Sequence, residues 1–126
     1  MKFDELLKNQ PNTRRRSRHL EEQLQALCVK WFRLRFRHYI IFAVPNGGSR
    51  NRLEAFNLKV SGVLAGVADL IIVGNKKVLF VEMKYKKGTQ QDTQKQFQQR
   101  VEELGHRYVL CRSFEQFKEE VEQWAK

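Results

Sequence analysis

The sequence predicts an α/β fold in which a mixed β-sheet is flanked by helices. Three observations support this fold class. The 126 residues, 41% of them hydrophobic, are enough for one core and too few for two. Apolar spacing alternates between helical and strand patterns in the order α-β-α-β-β-α-β-α. Two neighbouring strand patterns, 67–73 and 78–84, are apolar on both faces, which is typical of strands covered by helices on both sides.

The first half of the chain is predicted to contain an arm, two helices and a strand. We expect residues 1–17 to form a flexible basic arm, because Pro11 and Asn12 interrupt any helix there and Arg14–Arg16 form a block of like charge. Residues 18–126 are expected to form the single folded domain. Apolar spacing predicts a helix over about 19–37, and β-branched and aromatic residues predict a strand over 39–44. A second helix is expected over 50–60.

The second half is predicted to contain a hairpin, a further strand and two helices. The apolar runs 67–73 and 78–84 are joined by the turn residues 74–77, among which Asn75 tolerates the left-handed conformation of a tight turn. The next helix extends to Leu104 and is capped by Gly105, and a strand follows over 107–111. Ser113 and Gln116 predict a capping box that begins the last helix.

The net charge of +10 is concentrated in the first ninety residues. Residues 1–90 carry 18 Lys and Arg against 7 Asp and Glu, whereas residues 91–126 carry 6 against 7. Clustered cations favour a phosphate backbone, because binding releases its condensed counterions. The charge distribution therefore indicates a nucleic-acid-binding protein, with a merely soluble basic surface as the alternative.

Composition argues against several other classes of protein. No apolar run approaches the roughly 20 residues of a membrane span, and the first ten residues lack the apolar stretch of a signal peptide. Cys28 and Cys111 are far apart, and the three histidines lack metal-ligand spacing, so we expect neither a disulfide framework nor a zinc site. We expect a cytoplasmic protein that uses no membrane and no small-molecule cofactor.

Asp69, Glu82 and Lys84 interrupt the apolar hairpin. An ionised group on a buried strand is costly unless it is paired or coordinated. The turn gives a register in which paired residue numbers sum to 151, so Asp69 would lie opposite Glu82, and Lys84 would point to the same face. Two facing carboxylates repel each other unless a divalent cation lies between them. The alternative is that Asp69 caps its strand while Glu82 and Lys84 form an ion pair.

These residues resemble a known nuclease superfamily. Asp69, followed after twelve residues by Glu82-Met83-Lys84, resembles the D…(D/E)xK signature of the PD-(D/E)xK nucleases. Ala68 stands where that pattern has Pro, a position that supplies rigidity and not chemistry. The resemblance implies a restriction-endonuclease-like fold.

Flanking motifs resemble one subfamily, the VRR-NUC domain, the virus-type replication-repair nuclease module. The similarity extends from about residue 20 to residue 114. The motifs that carry it are Glu21–Gln25, Pro45–Gly48, Gly62–Gly66 with the following Val67–Leu70, and Gln94 eleven residues before Gly105.

The resemblance implies a metal-dependent catalytic centre in the hairpin. Asp69 and Glu82 would bind Mg²⁺ or Mn²⁺, with the backbone carbonyl of Met83 as a further oxygen ligand. Lys84 would orient or deprotonate the attacking water and offset charge in the transition state.

Two helices are expected to add residues to this centre. Glu21 would supply an outer carboxylate, through water or directly to a second ion. Glu22 is its rival, although Gln25 shares a helix face with Glu21 and so favours it. Gln94 would hold Lys84 or the water, and the alternative is a solvated residue in a Gln-rich stretch.

Basic and glycine residues near this centre are candidates for phosphate contacts. Glycine N–H groups can approach phosphate oxygens closely, and arginine can bind them bidentately. A plain turn is the alternative for the loop 45–48. The candidate DNA-binding residues are Asn46, Gly47, Gly48, Arg50, Arg52, Lys59, Lys86 and Lys87.

The resemblance implies a metal-dependent DNA endonuclease. Short standalone members resemble structure-specific endonucleases that act on branched DNA such as Holliday junctions, a substrate that implies a role in DNA repair. A junction has two equivalent strands to cut, so a symmetric homodimer is the economical assembly, with Phe56 or Trp124 as possible contacts. The alternatives are a non-catalytic nucleic-acid-binding module and an exonuclease or RNA-directed nuclease that uses the same centre.

Overall fold

The fold is built on a mixed β-sheet. The computed structural model describes residues 13–45 and 52–126. Within these residues, four strands form one sheet in the order β1-β2-β3-β4. The elements in chain order are α1 (Thr13–Arg35), β1 (Ile40–Ala43), α2 (Arg52–Val60), β2 (Leu70–Val73), β3 (Val78–Met83), α3 (Asp92–Glu103), β4 (Arg107–Cys111) and α4 (Phe114–Ala125).

The sheet has the mixed α/β architecture that the sequence predicts. β1 and β2 pair antiparallel, as do β2 and β3, whereas β3 and β4 pair parallel. The parallel pair requires a crossover, and α3 supplies it. The predicted order of helices and strands is confirmed over the described residues.

The β2–β3 hairpin has the register predicted from its turn. Leu70 pairs with Val81, and Val73 pairs with Val78, so paired residue numbers sum to 151. The turn is closed by a 2.9 Å hydrogen bond from Gly74 N to Lys77 O. Lys76, with φ 58°, adopts the left-handed conformation that the sequence analysis assigned to Asn75. The register leaves Asp69 directly before β2, beside the end of β3.

One face of the sheet packs against α1 and α4. Leu24, Cys28 and Phe32 form a stripe at helical spacing on α1, and each is buried. Phe117 and Val121 of α4 are fully buried against the same face. The helix begins as predicted, because Ser113 Oγ accepts a 3.1 Å hydrogen bond from Gln116 N.

Helix α3 covers part of the opposite face. Phe97 and Val101 pack against Phe80 and Tyr108. The loop before β2 approaches the first turn of α3 so closely that a Cβ on Gly66, where φ is +83°, would lie 2.3 Å from the Thr93 carbonyl oxygen. Only glycine fits this contact.

Helix α1 begins earlier than the sequence analysis predicts. Its first residue is Thr13 and its last is Arg35, so residues 13–17 belong to the helix and not to the expected arm. Arginine has high intrinsic helix propensity, and the helix therefore continues past the end of its apolar stripe. Residues 1–12 of the expected arm lie outside the described residues.

Two further features bear on the sequence predictions. Cys28 and Cys111 are free thiols in the core, and burial raises the pKa of each to about 12. Among the described residues, none of the helices combines the length and the apolar composition needed to cross a bilayer.

Candidate active site

Three charged side chains meet where β2 begins and β3 ends. Asp69 precedes the first residue of β2, and Glu82 is the penultimate residue of β3. Asp69 Oδ2 accepts a 2.7 Å hydrogen bond from Met83 N, so this carboxylate lies across the end of β3. Lys84 Nζ lies 3.8 Å from Glu82 Oε2. The structure therefore brings together the three residues that interrupt the apolar hairpin.

The two carboxylate oxygens of Glu82 have different environments. The side chain is fully buried. Its Oε1 accepts hydrogen bonds from the Tyr108 hydroxyl and from Gln90 Nε2, the second of them 3.1 Å long. Its Oε2 is buried and accepts no hydrogen bond from the part of the chain that the structure describes. Among the described residues, Glu82 is thus hydrogen-bonded through one oxygen only, and the other oxygen faces the Lys84 ammonium group in the ion pair that the sequence analysis gave as the alternative, without a hydrogen bond.

Tyr108 and Gln90 support Glu82 from the side of α3. Tyr108 lies on β4 opposite Phe80, on the sheet face that α3 covers. Burial and the hydrogen bond to Glu82 raise the pKa of Tyr108 far above its ordinary value, so the hydroxyl stays protonated and donates. Gln90 Nε2 also lies 2.8 Å from Gln98 Oε1, which holds the amide in place.

Tyr108 and Gln90 belong to the site but are not among the residues predicted from the sequence. Tyr108 carries one signal, since a buried hydroxyl in an apolar strand needs a partner. That signal becomes specific only when the parallel pairing of β3 and β4 is known. Gln90 is one of several glutamines between residues 90 and 99, and its sequence position does not distinguish it from the others.

The carboxylate of Asp69 lies in an electronegative environment. Burial is the main cause that raises its pKa above the ordinary value, and the carboxylates of Glu82 and Glu21 raise it further. The hydrogen bond from Met83 N and the charge of Lys84 act in the opposite direction without cancelling the shift. The cluster therefore combines the carboxylates of Asp69, Glu82 and Glu21 with the ammonium group of Lys84, and the negative charge is in excess.

Helix α1 adds Glu21 to the cluster. Glu21 Oε1 accepts a 3.1 Å hydrogen bond from Tyr85 N, just beyond the end of β3. A cleft of about 300 Å³ contains Glu21, Asp69 and Met83, with the exposed side chain of Arg18 at its wall. Glu22 lines the same cleft but is exposed, so the contact with the chain after β3 distinguishes Glu21 from its rival.

Gln94 lies in a neighbouring cleft that also contains Asp69. This cleft has a volume of about 390 Å³. Gln94 Oε1 accepts a 2.8 Å hydrogen bond from Gln91 N and so caps the first turn of α3. The expected role of Gln94 toward Lys84 or a water stays a prediction, whereas Gln90, four residues earlier, contacts Glu82 directly.

The predicted phosphate-binding residues divide into described and undescribed groups. Lys86 and Lys87 are exposed on the turn after the site, and this turn is fixed by Arg112, which donates 2.6 Å hydrogen bonds to the carbonyls of Lys86 and Gly88. Arg52 and Lys59 are exposed on α2. The remaining candidates, Asn46, Gly47, Gly48 and Arg50, lie outside the described residues.

The donor set suits a hard divalent cation with few protein ligands. In residues 13–45 and 52–126, no group of three or more His, Cys, Asp or Glu side chains is arranged to hold a metal. An ion here would therefore rely on the two carboxylates of Asp69 and Glu82, supplemented by a backbone carbonyl and water. Mg²⁺ is commonly bound in this way, through one or two carboxylates and several waters. The Oε2 atom of Glu82, which is buried and accepts no hydrogen bond from the described residues, fits such an ion beside the Lys84 ammonium group.

Comparisons with known proteins agree with this fold. The sequence matches the model of the VRR-NUC domain over residues 8–115. A solved structure described as a VRR_NUC domain protein has the same fold, with a TM-score of 0.67 and 20% sequence identity over 82% of this chain and 86% of that chain. A search of curated proteins found no match. Because the family match spans most of the sequence, the chain belongs to the VRR-NUC domain family, a family of nucleases.

Proposed function

We propose that this protein is a divalent-metal-dependent endonuclease that hydrolyses phosphodiester bonds in DNA. One observation carries the proposal: Glu82 is fully buried with one carboxylate oxygen fixed by Tyr108 and Gln90, and the other oxygen lacks a hydrogen bond. In a purely structural ion pair Lys84 would donate a hydrogen bond to the second oxygen, whereas its ammonium group lies 3.8 Å away and makes none. A pure nucleic-acid binder would gain nothing from carboxylates within its basic surface.

The proposed cofactor is Mg²⁺ or Mn²⁺. Asp69 and Glu82 would hold it with the Met83 carbonyl, and Glu21 would act through a bound water. The raised pKa of Asp69, caused mainly by burial and further by the carboxylates of Glu82 and Glu21, agrees with this assignment, because a bound cation would favour the ionised form. When bound, the ion would supply Lewis-acid stabilisation of the phosphate and acidify a water.

The remaining residues of the site position charge and water. Lys84 is largely buried, with its ammonium group 3.8 Å from Glu82 Oε2, and would offset negative charge that develops at phosphorus. Tyr108 and Gln90 would hold Glu82 in one orientation, so that the same oxygen faces the reaction. Arg18 lines the cleft, and the exposed Lys86 and Lys87 directly follow Tyr85, whose N–H contacts Glu21. These three cations would contact phosphates on either side of the scissile bond.

We further propose a branched DNA substrate and a homodimer, on the basis of the resemblance of short family members to junction-cutting enzymes. Phe56 supports an interface on α2, because 63% of its surface is exposed and none of the residues of this helix is buried. The other residue suggested for that interface, Trp124, is only 7% exposed and packs in the core against Tyr39. Trp124 is therefore unsuited to a dimer contact.

A cleavage assay tests these proposals together. Labelled four-way junction, flap, nicked and linear duplex DNA of matched sequence would be incubated with the protein in Mg²⁺, Mn²⁺, Ca²⁺ or EDTA. We expect cleavage with Mg²⁺ or Mn²⁺, poor support by Ca²⁺ and none in EDTA, with the junction preferred. An Asp69→Asn protein purified in parallel controls for contaminating nucleases.

The possible outcomes separate the proposals. Full activity in EDTA would contradict the metal requirement. Tight DNA binding without cleavage under any condition would favour the non-catalytic module. Equal cutting of linear and branched DNA by a 15.0 kDa monomer would refute the junction and dimer proposals and leave the nuclease proposal standing.

A further inference from the structure

A short loop next to the active site holds two apolar side chains in solvent. Val63 and Leu64 lie between α2 and β2, and 49% and 48% of their surfaces are exposed. We call this pair the apolar ridge. Isolated exposed apolar residues are ordinary on protein surfaces, so exposure alone says little. Two further observations support a function for the ridge: the backbone on both sides of it is fixed, and it lies between two clefts.

The apolar ridge is anchored on both sides. Val63 N donates a 2.9 Å hydrogen bond to Leu58 O, and Gly62 N donates to Lys59 O, so the loop continues from a closed helix end. Gly62 has φ +110°, which suits such a termination. On the other side, Gly66 packs against the backbone of α3 with no room for a Cβ. The two side chains are therefore held in solvent by the backbone around them.

The apolar ridge separates two clefts. The first, of about 390 Å³, contains Asp69 and Gln94 and belongs to the active site. The second, of about 440 Å³, is lined on its far side by Lys59, Phe97 and Arg100. Val63 and Leu64 line both clefts. The residues that line the second cleft include two cations and no carboxylate, so it is electrostatically suited to a polyanion.

We propose that the apolar ridge contacts unpaired nucleobases of the DNA next to the scissile phosphate, with the displaced strand lying in the second cleft. This inference rests on the proposed nuclease function and names the structural feature of DNA that the site selects. Phosphates offer nothing to aliphatic side chains, and the sugars and the thymine methyl groups of a duplex offer only small apolar areas. The large apolar surfaces of DNA are the base faces, which stacking covers in an intact duplex, so an unpaired or unstacked strand offers the ridge the greater contact.

The apolar ridge and the two cations of the second cleft would have complementary roles. Val63 and Leu64 would pack against the first bases beyond the duplex end, as apolar wedges do between base steps. Lys59 and Arg100 would contact phosphates of the same strand. A substrate with a branch would therefore gain contacts that linear duplex lacks.

The test compares matched DNA substrates in buffer with EDTA, where binding is measured without cleavage. The variant carries Val63→Ser and Leu64→Ser. The control is Leu34→Ser, because Leu34 is 64% exposed in the basic last turn of α1, across the sheet from α3. Fluorescence anisotropy would give the Kd for a forked duplex and for the same sequence fully paired, with 2-aminopurine at the first unpaired position as a local probe. Thermal melting would verify that each variant folds.

We expect the double variant to lose about 5–20-fold in affinity for the fork and less than about twofold for the paired duplex, at the lower end of base-stacking contributions. The 2-aminopurine signal should change on binding to the wild type and to Leu34→Ser, and much less with the double variant. Equal losses on both substrates, or no loss, would overturn the proposal.

Light scattering on the same proteins tests a second explanation, in which the ridge is an interface between two copies of the chain. If the double substitution changes the molecular mass in solution, the ridge is a contact between copies of the chain and the proposal fails. Because binding is measured without metal, the result is independent of whether cleavage occurs. A fork preference that depends on the ridge in a protein with no nuclease activity would support the ridge and refute the proposed function.

Discussion

The two faces of β3 have different roles. On the face toward α1 and α4, Leu79, Val81 and Met83 are buried in an apolar core. On the face toward α3, the alternate residues include Glu82, whose buried carboxylate accepts hydrogen bonds on one oxygen and has the Lys84 ammonium group, 3.8 Å away, near the other. Because successive side chains of a strand point to opposite faces, neighbouring residues can serve stability and chemistry separately. Substitutions on the two faces should therefore have separable effects.

The largest expected effect is on activity, from Glu82→Gln. The substitution keeps the shape of the side chain and an acceptor for Tyr108 while it removes the charge that would hold the metal. We expect the cleavage rate to fall by at least about 10²–10³-fold, with DNA affinity and thermal stability close to wild type. Single-turnover cleavage and a melting curve on the same preparation measure both quantities.

Wild-type cleavage by Glu82→Gln would remove this residue from the catalytic centre. The related substitutions Asp69→Ala and Lys84→Ala are expected to abolish cleavage in the same way. A variant that loses its fold together with its activity would instead indicate that the buried carboxylate is structural.

The opposite face should give the reverse result with Leu79→Ala. Leu79 is fully buried, and its truncation leaves a cavity in the core. We expect a loss of about 2–5 kcal/mol in the free energy of unfolding, measured by urea denaturation. Cleavage per folded molecule should stay near wild type at a temperature where the variant is folded. A large loss of activity in the folded variant would show that the two faces are coupled.

The contrast between the faces also explains what the sequence could predict. The apolar face and the hairpin register follow from local patterns, namely the spacing of Leu24, Cys28 and Phe32 and the four-residue turn 74–77. Local patterns do not predict the place of Tyr108 beside Glu82, because it depends on the parallel pairing of β3 with β4 across the α3 crossover. The two residues are 26 positions apart in the sequence. Sequence periodicity does not specify such non-local pairing.

Three smaller differences between the sequence predictions and the structure have local causes. Helix α1 begins before its apolar stripe because arginine is itself a good helix former. Gln90 and Gln94 are both polar residues near the start of α3, and the backbone decides which of them meets Glu82 and which caps the helix. The left-handed turn residue is Lys76 because the hairpin geometry, and not residue preference, selects the position.

An intermediate effect is expected from Tyr108→Phe, which tests the support of Glu82. The substitution removes one donor to Oε1 and leaves the aromatic packing against Phe97. Groups that orient a metal ligand typically change metal affinity by about 10–100-fold. We expect the Mg²⁺ concentration for half-maximal cleavage to rise by about tenfold or more, with the rate largely restored at saturating Mg²⁺.

Binding of Mn²⁺, followed by electron paramagnetic resonance without DNA, should weaken in parallel for Tyr108→Phe. Tyr39→Phe is a suitable control, since Tyr39 packs in the aromatic cluster with Trp124 on the other face. An unchanged metal dependence in Tyr108→Phe would mean that the hydroxyl only fills space.

The smallest effect concerns pH and the charge of Asp69 in the metal-free protein. Burial and the neighbouring carboxylates raise its folded-state pKa above the unfolded value, so the folded protein binds this proton more tightly than the unfolded chain does. The stability that results is fully present below the unfolded pKa and is lost as pH rises through the folded pKa. In EDTA, Asp69→Asn should therefore melt at a higher temperature than wild type near neutral pH and show less advantage near pH 4. Addition of Mg²⁺ should stabilise wild type more than Asp69→Asn, because an ionised carboxylate binds a divalent cation much more strongly than a neutral amide oxygen does. Parallel melting curves with pH-independent benefit and equal response to Mg²⁺ would contradict both the shifted titration and the proposed ligand.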